Sequence, residues 1–257
     1  MTEAEWLECD DPDKLLRRAR FRSYRRKSRL FAVACCRLIW DSLVDERSRK
    51  AVDLAERYAG GGVTEEELRI ASVAANEAHE EIFNTLGKTG ACIEWAAAFA
   101  ADPNPLHGAK NASWAAATPR TCEVRKSRKS DCDEIRQFPC SISKRSGPLT
   151  LILGKWKVVR LNAITAIPAE KPVQAALIRC IFGNPFRPVT FDPACLTPNA
   201  KTLARAIYDD RAFEGMPVLA DVLEEAGCGN QDIVDHCRGP GPHVRGCWVV
   251  DLVLGKE

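Results

Sequence analysis

The chain lacks any apolar run of about eighteen residues, the length that a membrane-crossing helix needs. Its most apolar stretch, ACIEWAAAFAA, is interrupted by Glu94. The opening MTEAEWLECDD is acidic and has none of the charged-then-apolar layout of a secretory signal, so a cytosolic chain without membrane contact is expected. An excess of charge of one sign is missing too. The 37 Lys and Arg against 35 Asp and Glu leave a net charge of +2, so any attraction to nucleic acid must be local. Closely paired cysteines are absent: none of the twelve forms a Cys-x2-Cys, the usual mark of a zinc knuckle. Cys35 and Cys36 are adjacent, which points them about 100° apart on a helix. Scattered core thiols, reduced and with raised pKa where they lie on apolar stripes, are the favoured reading. Neither GxSxG nor HExxH occurs, and His79, His107, His236 and His243 stand far apart in the chain. Leu86-Gly87-Lys88-Thr89 imitates the end of a phosphate-binding loop, but Ile82 occupies the place of its first glycine and the segment ahead is helical. No catalytic set emerges, and no cofactor is required.

What is present is helical periodicity. Ser28 to Leu43 puts Phe31, Cys35, Leu38 and Ile39 on one stripe. Asp45 can cap a helix ending at Gly60-Gly61-Gly62, and Thr64 with Glu67 forms a capping box that opens a helix to about Leu86. Alanine-rich helices follow at about 91–101 and 109–117. In the tail, helices are expected from Val173 to Ile181, after Thr197-Pro198, from Met216-Pro217 to Gly227, over Asp232 to Cys237, and from Arg245 to Leu254. Between these parts the period is lost. Residues 119–148 carry eight Lys and Arg against four Asp and Glu, and Leu149–Leu153 with Trp156–Leu161 can pair as a hairpin around Gly154-Lys155. The sequence therefore predicts a mainly α protein: a multi-helix bundle, with helical regions at 1–118 and 173–257 and an irregular, hairpin-containing insertion at about 119–172.

The blocks MTEAEWLECDDP, LFAVACCRLIWDSLVDERSRKAVDLAERYA, IRCIFGNPFRPV, LARAIYDDRAFEGMPVLADVLEEAGC and HCRGPGPHVRGCWVVDLVLGKE resemble an uncharacterised bacterial family, much multiplied as paralogues in planctomycete-type genomes. The resemblance covers roughly 1–60 and 173–257. It carries no activity or site residues with it. In such proteins alanine- and tryptophan-rich helical sequence joins the two blocks, so 119–172 stands out as a replaced or frame-disrupted segment.

Three surfaces merit attention. The stretch DHCRGPGPHVRGCW, residues 235–248, reads first as a turn in which Gly239-Pro240-Gly241-Pro242 ends one helix and aims the next, with Cys237 and Cys247 packed beneath. By count, Cys228, His236, Cys237, His243 and Cys247 suffice for zinc, although their spacing matches no knuckle. Arg238, His243 and Arg245 could instead meet an anion, but the two prolines remove amide donors, and hydrogen bonding by the arginines to helix ends is favoured. These residues, with Phe186 and Arg187 in an extended turn, are the candidate surface for a protein partner. Finally, KLLRRARFRSYRRKSR, residues 14–29, holds nine Lys and Arg and no acid. Arg17, Arg18, Arg22, Arg25, Arg26 and Lys27 are its candidate nucleic-acid contacts, with a solvated helix face the favoured alternative. The expectation is a non-catalytic helical binding module. A nucleic-acid binder and a zinc-binding protein or metal-assisted enzyme are its rivals.

Overall fold

A computed structural model describes residues 1–19, 23–86, 88–124, 149–152, 158–161 and 171–256. The protein is mainly helical, and the described residues fall into two compact units. One unit joins Met1–Ala34 to Lys171–Glu257, and the other is Cys35–Glu170. Division of the chain at 118 and 172 does not contain this grouping, because the first 34 residues belong with the tail. None of the helices searched among the described residues is long and apolar enough to cross a membrane.

In the first unit, α1 (Glu3–Glu8) starts at a capping box between Thr2 and Glu5, and α2 (Pro12–Arg18) starts at Asp11, whose carboxylate accepts from the amides of Asp13 and Lys14. α3 (Arg25–Leu38) belongs to this unit as far as Ala34. The expected single basic helix over 14–29 is thus two helices. The tail supplies α8 (Lys171–Phe182), α9 (Pro198–Asp210), α10 (Met216–Glu225), α11 (Gln231–Arg238) and α12 (Trp248–Leu254). Successive helices α9, α10, α11 and α12 pack on one another, α12 also meets α9 and α8, and α8 meets α2. Their shared core contains Ile207, Met216, Leu219, Leu223, Ile233, Val249 and Val253. Thr197 caps α9 through the amide of Ala200, with Pro198 at its first position, as the sequence predicts. α12 begins at Trp248, three residues later than periodicity suggests, because Gly246 sits at φ +91° and breaks helical continuity.

In the second unit, α4 (Glu46–Ala59) is capped by Asp45, and α5 (Glu65–Leu86) opens at the expected box between Thr64 and Glu67. α6 (Lys88–Ala100) and α7 (Pro105–Val124) complete the helices, and each helix packs on its sequence neighbour. Alanines 75, 78, 96, 97, 109 and 112 fill the contacts, so these backbones approach closely. β1 (Leu149–Ile152) and β2 (Val158–Leu161) pair antiparallel, Leu149 opposite Leu161 and Ile152 opposite Val158. The rest of the basic stretch beyond Val124, and the turn at Gly154-Lys155, lie outside the described residues.

Candidate metal centre

Four side chains of the first unit converge, three from residues 236–247 and one from a helix far upstream. Cys180 lies in the last turn of α8, on the stripe it shares with buried Leu177 and Ile181. His236 lies in the last turn of α11, whose start is fixed by the Asn230 side chain accepting from the amides of Asp232 and Ile233. His243 comes from the loop that follows, and Cys247 is the residue at the start of α12. Glycine makes this loop possible. Gly241 has φ +76°, and a Cβ there would stand 3.0 Å from the His243 amide nitrogen, so only glycine lets the chain fold back with His243 facing inward.

The ligand atoms of Cys180, His236, His243 and Cys247 all lie within 4.8 Å of one another. His236 Nε2 is 3.2 Å from Cys247 Sγ, and His243 Nδ1 is 3.9 Å from Cys180 Sγ. Zinc–sulfur bonds of about 2.3 Å and zinc–nitrogen bonds of about 2.0 Å imply tetrahedral edges of about 3.3–3.8 Å, so the group is close to the size of a filled site. The outer contacts suit the same role. His243 Nε2 faces the Gly239 carbonyl at 3.4 Å; donation there leaves Nδ1 as the ligand nitrogen. The imidazole of His236 lies between the His243 ring, edge-on at 4.9 Å, and the Trp248 ring at 5.2 Å. Both sulfurs are buried and both imidazoles are half-buried.

The four groups also share charge. Burial pushes the Cys247 thiol up, but hydrogen bonds with Cys180, His236 and His243 outweigh it and hold the thiol well below its ordinary value. Its hydrogen bond to Cys247, and then burial, hold Cys180 well above. Burial alone would lower His243, yet its interaction with Cys247 raises it. A set of two sulfurs and two imidazole nitrogens in this arrangement can hold a metal ion.

The sequence-derived ligand set therefore needs correcting. His236, His243 and Cys247 meet, whereas Cys228 and Cys237 do not join them. Cys237 follows His236 on α11 and so points away into the apolar core, where burial pushes its thiol above the ordinary range. Cys228 lies in the same core beside Cys195, whose thiol is raised by burial and by Cys228. The fourth member of the group, Cys180, is not marked by local spacing. Its only signal was a cysteine on the inward stripe of a helix far upstream.

Most of the other described candidate residues are engaged within the unit. Arg245 donates from Nε and Nη2 to the carbonyls of Tyr208 and Asp209, the helix-end role expected for it. Arg238 pairs instead with Asp221 and Glu224 of α10. Arg187 meets Glu3 at 2.6 Å and Asp232 at 3.3 Å, and Phe186 lies under the Arg18 guanidinium at 4.1 Å. In the basic run, Arg26 pairs with Asp251 and Lys27 is half-buried, while Arg17 and Arg25 are exposed. Arg22 lies outside the described residues. No family model matches the chain, and neither a curated protein nor a solved structure matches it.

Proposed function

We propose that the protein is a non-catalytic, zinc-binding helical module in which Cys180, His236, His243 and Cys247 hold one structural zinc ion. The observation that carries this reading is the approach of all four ligand atoms to within 4.8 Å of one another, three of them from residues 236–247 and the fourth, Cys180, brought in by the fold from a helix far upstream. Two sulfur and two nitrogen donors favour zinc over harder cations, which prefer oxygen. Four protein ligands fill the tetrahedral shell and leave no position for water or substrate, which favours a structural ion over a catalytic one. A cysteine nucleophile activated by histidine is the competing use of Cys247 and His236. Against it, Cys247 is 0% exposed, and an acceptor has no approach to its sulfur.

Elemental analysis of the tag-free full-length protein, prepared under reductant, tests the proposal. One zinc per chain is expected, with the loss of most of it in Cys180→Ser and in His243→Ala. Cobalt(II) in place of zinc should give the visible bands of a tetrahedral site with thiolate ligands. Substoichiometric metal in the wild-type chain, or full occupancy in both variants, refutes the assignment.

A further inference from the structure

Residues on both sides of 20–22 in the N-terminal segment are tied to the tail beside the metal ligands themselves. On α8, Arg179 stands next to Cys180 and donates to the Trp6 carbonyl at 2.8 and 3.1 Å and to the Cys9 carbonyl at 2.6 Å. Two positions beyond Cys180, Phe182 meets the Tyr24 ring edge-on at 6.3 Å. At the other sulfur, Gly246 stands next to Cys247 so close to Leu30 that a Cβ would lie 2.9 Å from its Cδ1. One turn on, the Asp251 amide donates to the Cys247 carbonyl, and the Asp251 carboxylate accepts from Arg26 at 2.6 and 3.0 Å. The N-terminal segment thus grips α8 through α1 and the residues after it, and α12 through α3. Both grips depend on the separation of α8 and α12, which pack on each other and which a metal bridging Cys180 and Cys247 would hold further.

We infer that the metal centre is the clasp of the N-terminal segment: its occupancy determines whether residues 3–18 and 25–34 stay docked on the tail. This rests on the zinc reading above. Without the ion, only apolar packing holds α8 to α12 and the 239–247 loop, and the segment can follow one of them or neither. Coupling between two sites is reciprocal, so docking of the segment must in turn tighten the metal.

Hydrogen exchange of the full chain, zinc-loaded against chelator-stripped under reductant, reads the first direction. Exchange over 3–18 should quicken on the order of tenfold when zinc leaves, within the usual range of such couplings, while 46–86 in the second unit stays unchanged. The second direction uses Arg179→Gln, which weakens the hold on Trp6 and Cys9 without touching a ligand. In competition with a chromophoric chelator, it should bind zinc on the order of tenfold more weakly than wild type. Where stripping melts the whole tail, this affinity measurement decides. Zinc loss that speeds exchange over 236–247 but leaves 3–18 protected overturns the coupling and spares the zinc reading. So does an Arg179→Gln variant with quickened exchange over 3–18 and wild-type zinc affinity. A wild-type chain that takes up no zinc ends both.

Discussion

Asp251 is 1% exposed, and a carboxylate so placed is tolerated only with a partner; its bidentate contact with Arg26, which also donates to Tyr208, supplies one. Asp251→Asn should therefore cost about 3 kcal/mol in urea unfolding, since it strands a largely buried guanidinium. The double change Arg26→Met with Asp251→Leu should cost less than the single one, and a larger loss would show that the pair itself stabilises. Glu94 presents the opposite case in the second unit. Burial raises its pKa, against the lowering effect of a hydrogen bond with the Ser48 side chain and of the Val44 and Asp45 amides that donate to Oε1. A carboxyl raised in the folded state contributes stability below the unfolded carboxylate pKa that is lost as pH rises through the folded value. Wild-type melting temperature should fall over that interval, and Glu94→Gln should flatten the fall in parallel melts from pH 4 to 7. Residues of these two kinds were unequally legible. Glu94 stands out in ACIEWAAAFAA because a charge interrupts alanines, whereas Cys180 is as apolar in pattern as its neighbours. Ligand spacing is informative only when the ligands share a local turn, and here a helix far upstream completes the set.

Element boundaries were readable wherever a side chain caps a backbone: Asp45, Thr64 and Thr197 all act as their sequence positions suggest. They were misplaced where tertiary contact decides. Arg245 looks like the start of α12 by periodicity, yet its guanidinium holds the carbonyls of Tyr208 and Asp209 and the helix starts only after Gly246. That glycine combines φ +91° with the approach of Leu30, so its hydrogen is required on two grounds. Gly246→Ala should lose about 2–4 kcal/mol, part from the left-handed backbone and part from the clash. Adding Leu30→Ala separates the parts. It should relieve the steric share, so that the double variant is more stable than the sum of the single losses. Strict additivity in urea unfolding would place the whole effect in the backbone. The basic run at 14–29 teaches the same lesson from the other side. Its charge is plain in sequence, but only coordinates show that Arg18 covers Phe186 and Arg26 meets Asp251.

At the scale of the molecule, sequence order and spatial grouping part company. Periodicity identifies a mainly helical chain, but no local signal says that Met1–Ala34 belongs with Lys171–Glu257, because that grouping arises from contacts such as Arg179 to Trp6 that have no period. The two units also differ in what holds them. The first gathers His236 and His243 onto Cys180 and Cys247 at the edge of its core, while the second is an alanine-packed stack with Glu94 buried at its side. A ligand that binds only the folded form stabilises the part it binds, by an amount set by its concentration relative to its dissociation constant. Scanning calorimetry of the zinc-loaded chain should consequently resolve two transitions with separate controls. Chelator should lower the transition of the first unit by on the order of ten degrees or more, since structural zinc contributes on the scale of a domain's whole stability. Glu94→Gln should move only the other transition, and only above the ordinary carboxylate range. A single transition that chelator and Glu94→Gln both shift as one would mean that the units unfold cooperatively, so that loss of metal from one end of the chain would destabilise the alanine helices as well.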